Sequence, residues 1–269
     1  MIPLWKQTFS AGTGNPDDDF QPYMTPYLLP GDDVRGVVLV FPGGGYSCRC
    51  DHEAAPIAKA FNAEGFHAFV VEYRVKPYRY PAPQQDVYRA IRMIRANADK
   101  WHIAPDNIAL CGFSAGGHLV TFSGVGYERP ECLPDAGDVC DNISARPDAV
   151  IGCYPVTHLG SGNGHPGSGQ NLLGNDYEAQ HQQYDPCALA TENTPPYFLF
   201  HTATDQVVPV DCSIDMAKAL WSKGVTAELH VFPRGPHGVA LGQDFPETQI
   251  WPHLAAVFLR GIGFKSADK

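Results

Sequence analysis

Apolar runs alternate with apolar stripes along this chain, and the alternation predicts its elements. Residues 36–41, GVVLVF, form a continuous apolar run, the pattern of a strand covered on both faces in a parallel sheet. From about 52 to 64, Ala55, Ile57, Ala58 and Phe61 recur at helical spacing, and Gly65 is placed to end that helix. The strand HAFVVEY follows at 67–73. A helix from about 84 to 100 then carries Val87, Ile91, Ile94 and Ala98 on one face. Its other side carries Arg89, Arg92 and Arg95, read as a solvated face rather than a binding patch. After a connector at 101–106, Ile108–Cys111 reads as a strand that opens into another apolar helix pattern. Strands at 148–154, 197–202 and 226–232, with helices at about 209–222 and 246–260, complete the series. Ahead of it, 5–9 and 23–29 read as two short strands flanking the acidic segment NPDDD (15–19), a solvated loop whose spacing is not that of a calcium loop.

Strand and helix alternating in this way call for a mostly parallel sheet with helices on both faces. Ligands in such sheets bind beyond the carboxyl ends of the strands. Residues 157–193 break the rhythm, with Gly160, Gly162, Gly164, Gly167 and Gly169 and few apolar runs. They read as a small cap or ordered loop inserted into the fold. No repeat or linker divides the chain, so 1–269 reads as one domain.

Composition narrows the function classes. A net charge of −10 argues against a nucleic-acid partner. No run approaches the ~18 apolar residues of a membrane span, and the first residues lack a basic stretch followed by an apolar one. The eight cysteines lack the paired C-x-x-C spacing of a zinc site. Cys132 and Cys140 could pair, but a reduced, cytoplasmic protein is the preferred expectation. No metal or cofactor is expected, and a homo-oligomer is left open.

The candidate chemistry begins at Gly112-Phe113-Ser114-Ala115-Gly116, a G-x-S-x-G pattern between a strand and a helix. Such a turn lifts the serine above the sheet, and the glycines remove side chains that would collide with the departing helix. A serine hydroxyl needs a base, and imidazole titrates near neutral pH. Of eleven histidines, His201 and His230 fall within strands, and His118 falls on the nucleophile helix, in a packing or hydrogen-bonding role. His237, in RGPHG after the last strand, is placed to reach over the serine. Its carboxylate partner is Asp205, nearest the end of strand 197–202; the rival Asp211 reads as a first-turn helix residue. The oxyanion donors are assigned to the N–H groups of Ala115 and of the glycine run, Gly44 and Gly45. Tyr46, with Tyr73, Tyr78 and Tyr80, lies near strand ends, where it could bind substrate by stacking on a sugar ring or simply pack.

PGGGY, GFSAGGHL, TATDQVVP and GPHG, in that order, resemble the esterase branch of the α/β-hydrolase superfamily. The resemblance spans about residues 36–260. It is nearest to the bacterial acetyl-xylan-esterase-like group, close to the hormone-sensitive-lipase-like esterases. It departs at one point. Lipase-like relatives usually carry His-Gly-Gly-Gly, and Pro42 here removes a side chain that would brace the loop. The resemblance implies a serine carboxylesterase that removes O-acetyl groups from xylo-oligosaccharides or related sugars; the residues alone imply acyl transfer to water. Two other readings share the fold: a peptidase of the prolyl-oligopeptidase-like branch, and a non-catalytic ligand-binding protein.

Overall fold

The computed structural model describes residues 1–12, 14 and 19–267. Residues 15–18 of the acidic segment lie outside the described residues. The strands are β1 (Ile2–Pro3), β2 (Tyr23–Tyr27), β3 (Arg35–Phe41), β4 (His67–Glu72), β5 (Ile103–Phe113), β6 (Ala149–Cys153), β7 (Tyr197–Thr202) and β8 (Ala227–Phe232). They form one sheet in the order β1-β2-β4-β3-β5-β6-β7-β8. β1–β2 and β2–β4 are antiparallel, and every other pair is parallel.

The helices are α1 (Ala55–Ala63), α2 (Ala82–Ala96), α3 (Ser114–Val125), α4 (Pro166–Leu173), α5 (Tyr177–Gln180), α6 (Asp211–Ser222) and α7 (Trp251–Gly261). Alternating strand residues face opposite layers. Val37, Leu39 and Phe41 pack with Val87 and Ile91 of α2, Leu119 of α3 and Met216 of α6. Val38 and Val40 pack with Ile57 and Phe61 of α1 and Trp251 of α7. This two-sided burial explains the unbroken apolar run of β3. α3 is buried from Ser114 to Gly124, which suits a helix without a polar face. The arrangement is the α/β-hydrolase fold, with α4 and α5 in the cap insertion.

Four local expectations need correction. Residues 5–9 form no strand; Leu4 and Trp5 enter the core, and Trp5 donates its indole N–H to buried Asp86 at 2.7 Å. Phe9 makes only a single bridge to Phe20. The connector is shorter than its composition suggests, because β5 begins at Ile103. The last helix begins at Trp251, five residues late, after turns that include Gly242 at φ +67. Finally, the arginines of α2 are not a solvated face. Arg89 is buried, binds the Leu4 carbonyl and pairs with Asp138 through both guanidinium ends. Arg92 binds the Ile143 carbonyl, and Arg95 binds the carbonyls of Pro105, Ser144 and Arg146 and pairs with Asp148. They fasten the loop before β6 to the helix, a use that the linear pattern of charges does not reveal.

Candidate active site

Ser114 stands where β5 ends and α3 begins, with φ at +54 and only 8% of its surface exposed. A positive φ is strained for a residue with a Cβ and persists only where the surroundings enforce it. Two glycines permit the turn. A Cβ on Gly112 would lie 2.1 Å from the Gly116 carbonyl oxygen, and one on Gly116 would lie 2.3 Å from that of Phe41. Any side chain at either position would push the elbow apart.

His237 and Asp205 arrive from two separate strand ends. Ser114 Oγ lies 2.7 Å from His237 Nε2, and His237 Nδ1 lies 2.7 Å from Asp205 Oδ2. Asp205 follows β7, and its Oδ1 accepts the N–H groups of Val207 and Val208 at 2.9 and 3.0 Å. Burial pushes this carboxyl up, but hydrogen bonds from His201, His237 and Val208 outweigh it and hold the group well below the usual carboxylate range. Asp205 is therefore an acceptor, His237 donates from Nδ1, and Nε2 is left to accept the Ser114 proton. Asp211, the rival, is exposed at the start of α6. The loop carrying His237 is itself pinned, because Thr202 and Thr204 both donate hydroxyls to the Gly235 carbonyl.

The glycine loop lies across from this relay, and its carbonyls are accounted for in turn. Pro42 accepts from the Tyr73 hydroxyl at 2.6 Å, and Gly43 accepts from the Cys50 N–H at 3.0 Å. Gly44 accepts from the N–H groups of Ser47 and Cys48, and Gly45 accepts from Asn171 Nδ2 at 2.9 Å. The Gly43 N–H is taken by Glu53 Oε2 at 2.7 Å. The N–H groups of Gly44 and Gly45 have no hydrogen-bond partner among the described residues. Gly44 has φ +133, and a Cβ there would lie 2.4 Å from the Cys48 carbonyl oxygen. Ala115, second residue of α3, offers a further N–H that the helix does not consume.

A cavity of about 330 Å³ brings Ser114, His237, Gly44 and Gly45 together with His52, Glu53, His165 and Val207. A second hollow of about 360 Å³ shares His52 and Gly238 with it and is walled by Pro56, Val239, Leu241 and Phe245.

Tyr46 does not line this cavity. It is buried, its hydroxyl meets His118 Nδ1 at 2.7 Å, and its ring is unavailable to a sugar. His118 Nε2 lies 2.9 Å from the Tyr184 carbonyl, so that nitrogen carries the proton and the Tyr46 hydroxyl donates to Nδ1. Burial lowers the His118 pKa to about 4, so it supports the loop as a neutral ring. Tyr73 is buried against Pro42, and Tyr80 bonds Glu131, so neither reaches the site. Tyr78 bonds the Phe9 carbonyl.

Three residues in or beside the site escape a reading of motifs. His201, in β7, lies 3.3 Å from Asp205 Oδ2 and 3.0 Å from the Val208 carbonyl through Nε2, while Nδ1 meets the Ser213 hydroxyl. His165, in the cap, accepts the Ser168 N–H at Nδ1, which leaves Nε2–H as a donor on a ring lining the cavity. Glu53 is almost wholly buried beneath the glycine loop. His201 was legible as a core residue; nothing in the pattern around His165 or Glu53 marked them. All eight cysteines are unpaired, Cys132 and Cys140 included; the Cys132 thiol instead meets the Tyr80 hydroxyl at 3.3 Å. Among the described residues, no group of three metal-ligating side chains occurs, and no helix is long and apolar enough to cross a membrane.

Comparison with known proteins agrees with this geometry. The chain is 36% identical over 230 residues to endo-1,4-beta-xylanase B of Butyrivibrio fibrisolvens, covering 84% of this chain and 36% of that protein. It is 31% identical over 250 residues to the acetylxylan esterase of Xylanibacter ruminicola, covering 91% of this chain and 49% of that protein. The chain thus spans half or less of these curated relatives. The crystal structure of an acetyl ester-xyloside bifunctional hydrolase from Caldicellulosiruptor lactoaceticus superposes with a TM-score of 0.89 at 38% identity, covering 99% of this chain and 97% of the other. A family model described as BD-FAE matches residues 29–220. The chain belongs to the BD-FAE family, on an α/β-hydrolase fold related to acetylxylan esterases.

Proposed function

We propose that this protein is a serine esterase that removes short acyl groups, chiefly acetyl, from xylo-oligosaccharides or related sugars through an acyl-enzyme. The observation that carries the reading is the relay of two 2.7 Å contacts, Ser114 to His237 to Asp205, facing a loop with two unpartnered N–H groups. Ser114 attacks the acyl carbonyl as His237 Nε2 takes its proton. The oxyanion forms against the N–H groups of Gly44, Gly45 and Ala115, which are fixed before the reaction and need no reorganisation. His237 returns the proton to the leaving sugar oxygen. Water then enters, gives a proton to the same nitrogen and releases the acid. Asp205 keeps the imidazole in the required tautomer and stabilises its cation.

The substrate class is supported by the relatives, named for acetylxylan esterase and acetyl ester-xyloside hydrolase activities. It is also supported by the adjoining hollow, which gives a bulky alcohol room beside a compact cavity at the serine. We read 1–269 as one hydrolase domain, since one sheet organises both core layers. The unpaired cysteines support a reducing, cytoplasmic setting. The test of the substrate is acetate release from acetylated xylo-oligosaccharides beside aryl esters of rising chain length. The reading expects acetate from the sugars and a steep fall in kcat/KM beyond short chains; preference for long chains, or sugars left acetylated, would overturn it.

A further inference from the structure

The replacement of the loop's leading histidine by Pro42 raises the question of what holds the oxyanion donors in place. The structure assigns that role to Glu53, as a positioning residue that fixes the glycine loop and ties it to the loop bearing the base. The assignment rests on the esterase reading above, since it concerns donors for that reaction.

Glu53 ends a single turn, Asp51–Glu53, just before α1. The residue is 2% exposed and lines the cavity that holds Ser114. Oε2 accepts the Gly43 N–H at 2.7 Å. Oε1 accepts the Tyr154 hydroxyl at 2.7 Å, and that hydroxyl in turn accepts the Ala240 N–H at 3.0 Å. The Tyr154 ring packs edge-on to His237, with ring centres 5.2 Å apart. One side chain therefore contacts the oxyanion loop directly and reaches the His237 segment through a single tyrosine.

The Gly43 contact decides which way the loop's N–H groups face. A peptide unit is planar, so binding the Gly43 N–H fixes the Pro42–Gly43 peptide. The Tyr73 hydroxyl on the Pro42 carbonyl holds the other edge of that same unit. The Cys50 N–H, immediately before the Asp51–Glu53 turn, holds the Gly43 carbonyl and so fixes the next peptide, whose N–H belongs to Gly44. Without the Glu53 oxygen, the Gly43 N–H would be a buried unpaired donor, and the loop could relieve that only by turning. The fit is tight, since a Cβ on Gly43 would lie 2.8 Å from Glu53 Oε2 and 2.7 Å from the Phe113 carbonyl oxygen. Glu53 touches no reacting atom in this scheme. Its effect passes through the donors, which act on the transition state more than on the bound substrate.

The test combines Glu53→Ala, Glu53→Gln and Tyr154→Phe with steady-state kinetics on an aryl acetate and with binding of an alkyl boronic acid. The boronate adduct on the serine places an oxygen in the oxyanion hole and so reports the donors without turnover. Glu53→Ala is expected to lower kcat about 10²-fold with KM within threefold, and to weaken boronate binding by a similar factor. Glu53→Gln, which keeps an acceptor for Gly43 but loses the one for Tyr154, should lose about tenfold in kcat, and Tyr154→Phe no more than that. If Glu53→Ala does not fold, the Gln variant carries the test. A kcat within threefold of wild type in the folded variant, or unchanged boronate affinity, would overturn the assignment. Failure of the esterase reading looks different: the wild-type protein itself would not hydrolyse the ester or bind the boronate.

Discussion

Two buried carboxylates flank Ser114, and in the mechanism proposed above they serve opposite sides of the same reaction. Asp205 divides its oxygens between imidazole and backbone: Oδ2 meets His237 and His201, and Oδ1 takes two N–H groups. Glu53 divides its oxygens between the Gly43 N–H and the Tyr154 hydroxyl. In that proposal the first stabilises a positive charge that develops on His237. The second, in the same proposal, holds a loop whose N–H groups meet the negative charge that develops on the substrate. Asp205 acts within one residue of the reacting serine proton, whereas Glu53 acts through rigid peptide units, so losses on the acid–base side should exceed losses on the loop side.

Substitutions can break that ordering. Ser114→Ala and His237→Ala should each lower kcat by about 10⁶, with far-UV circular dichroism unchanged, as expected for members of a triad acting as a unit. Asp205→Asn should cost about 10⁴, because the amide no longer selects the required tautomer. On the loop side, Gly44→Ala should cost at least about 10² in kcat, since the new Cβ meets the Cys48 carbonyl at 2.4 Å and displaces a donor. An Asp205→Asn loss smaller than the Gly44→Ala loss would invert the comparison. His165→Ala should have a smaller effect, about tenfold in kcat/KM on acetylated xylo-oligosaccharides and less on an aryl acetate, because it removes a donor from the cavity wall. Equal effects on both esters would show that His165 does not read the sugar.

The support beneath the loop also predicts a pH effect. Unfolded histidine takes a proton near pH 6.5, while folded His118 does so only near 4. The unfolded chain binds more protons between these values, so stability falls as pH is lowered from about 6.5 to 4, by an amount on the order of 3 kcal/mol from this residue. Burial and the Arg35 cation lower His67 to about 4 as well, and it adds to the same window. Urea midpoints across that range should fall with pH, and less steeply in His118→Gln. A flat profile would remove His118 from the account.

Much of the molecule was legible in the chain because its signals are local. The β3 run, the elbow glycines and the order Ser114, Asp205, His237 each depend on residues close in sequence or on the order of strands. What was not legible depends on side chains meeting across the fold. Glu53 looks like any acidic residue in a turn until the fold brings it under Gly43. Arg89, Arg92 and Arg95 look solvated until the loop before β6 returns over them. Tyr46 follows the glycine run, as a substrate-stacking aromatic would, yet its backbone at φ +58 accompanies an inward ring bonded to His118. On the assignment proposed for Glu53, the side chain missing at Pro42 has a counterpart eleven residues later.

The central claim is that Ser114 carries the acyl group. Its most direct test is rapid quenching of the wild-type protein with an activated acetate ester, followed by peptide mass spectrometry. The account predicts an acetyl group on Ser114 that disappears as acetate is released, and none on the Ser114→Ala variant. Turnover with no acetylated serine, or turnover retained after Ser114→Ala, would contradict it.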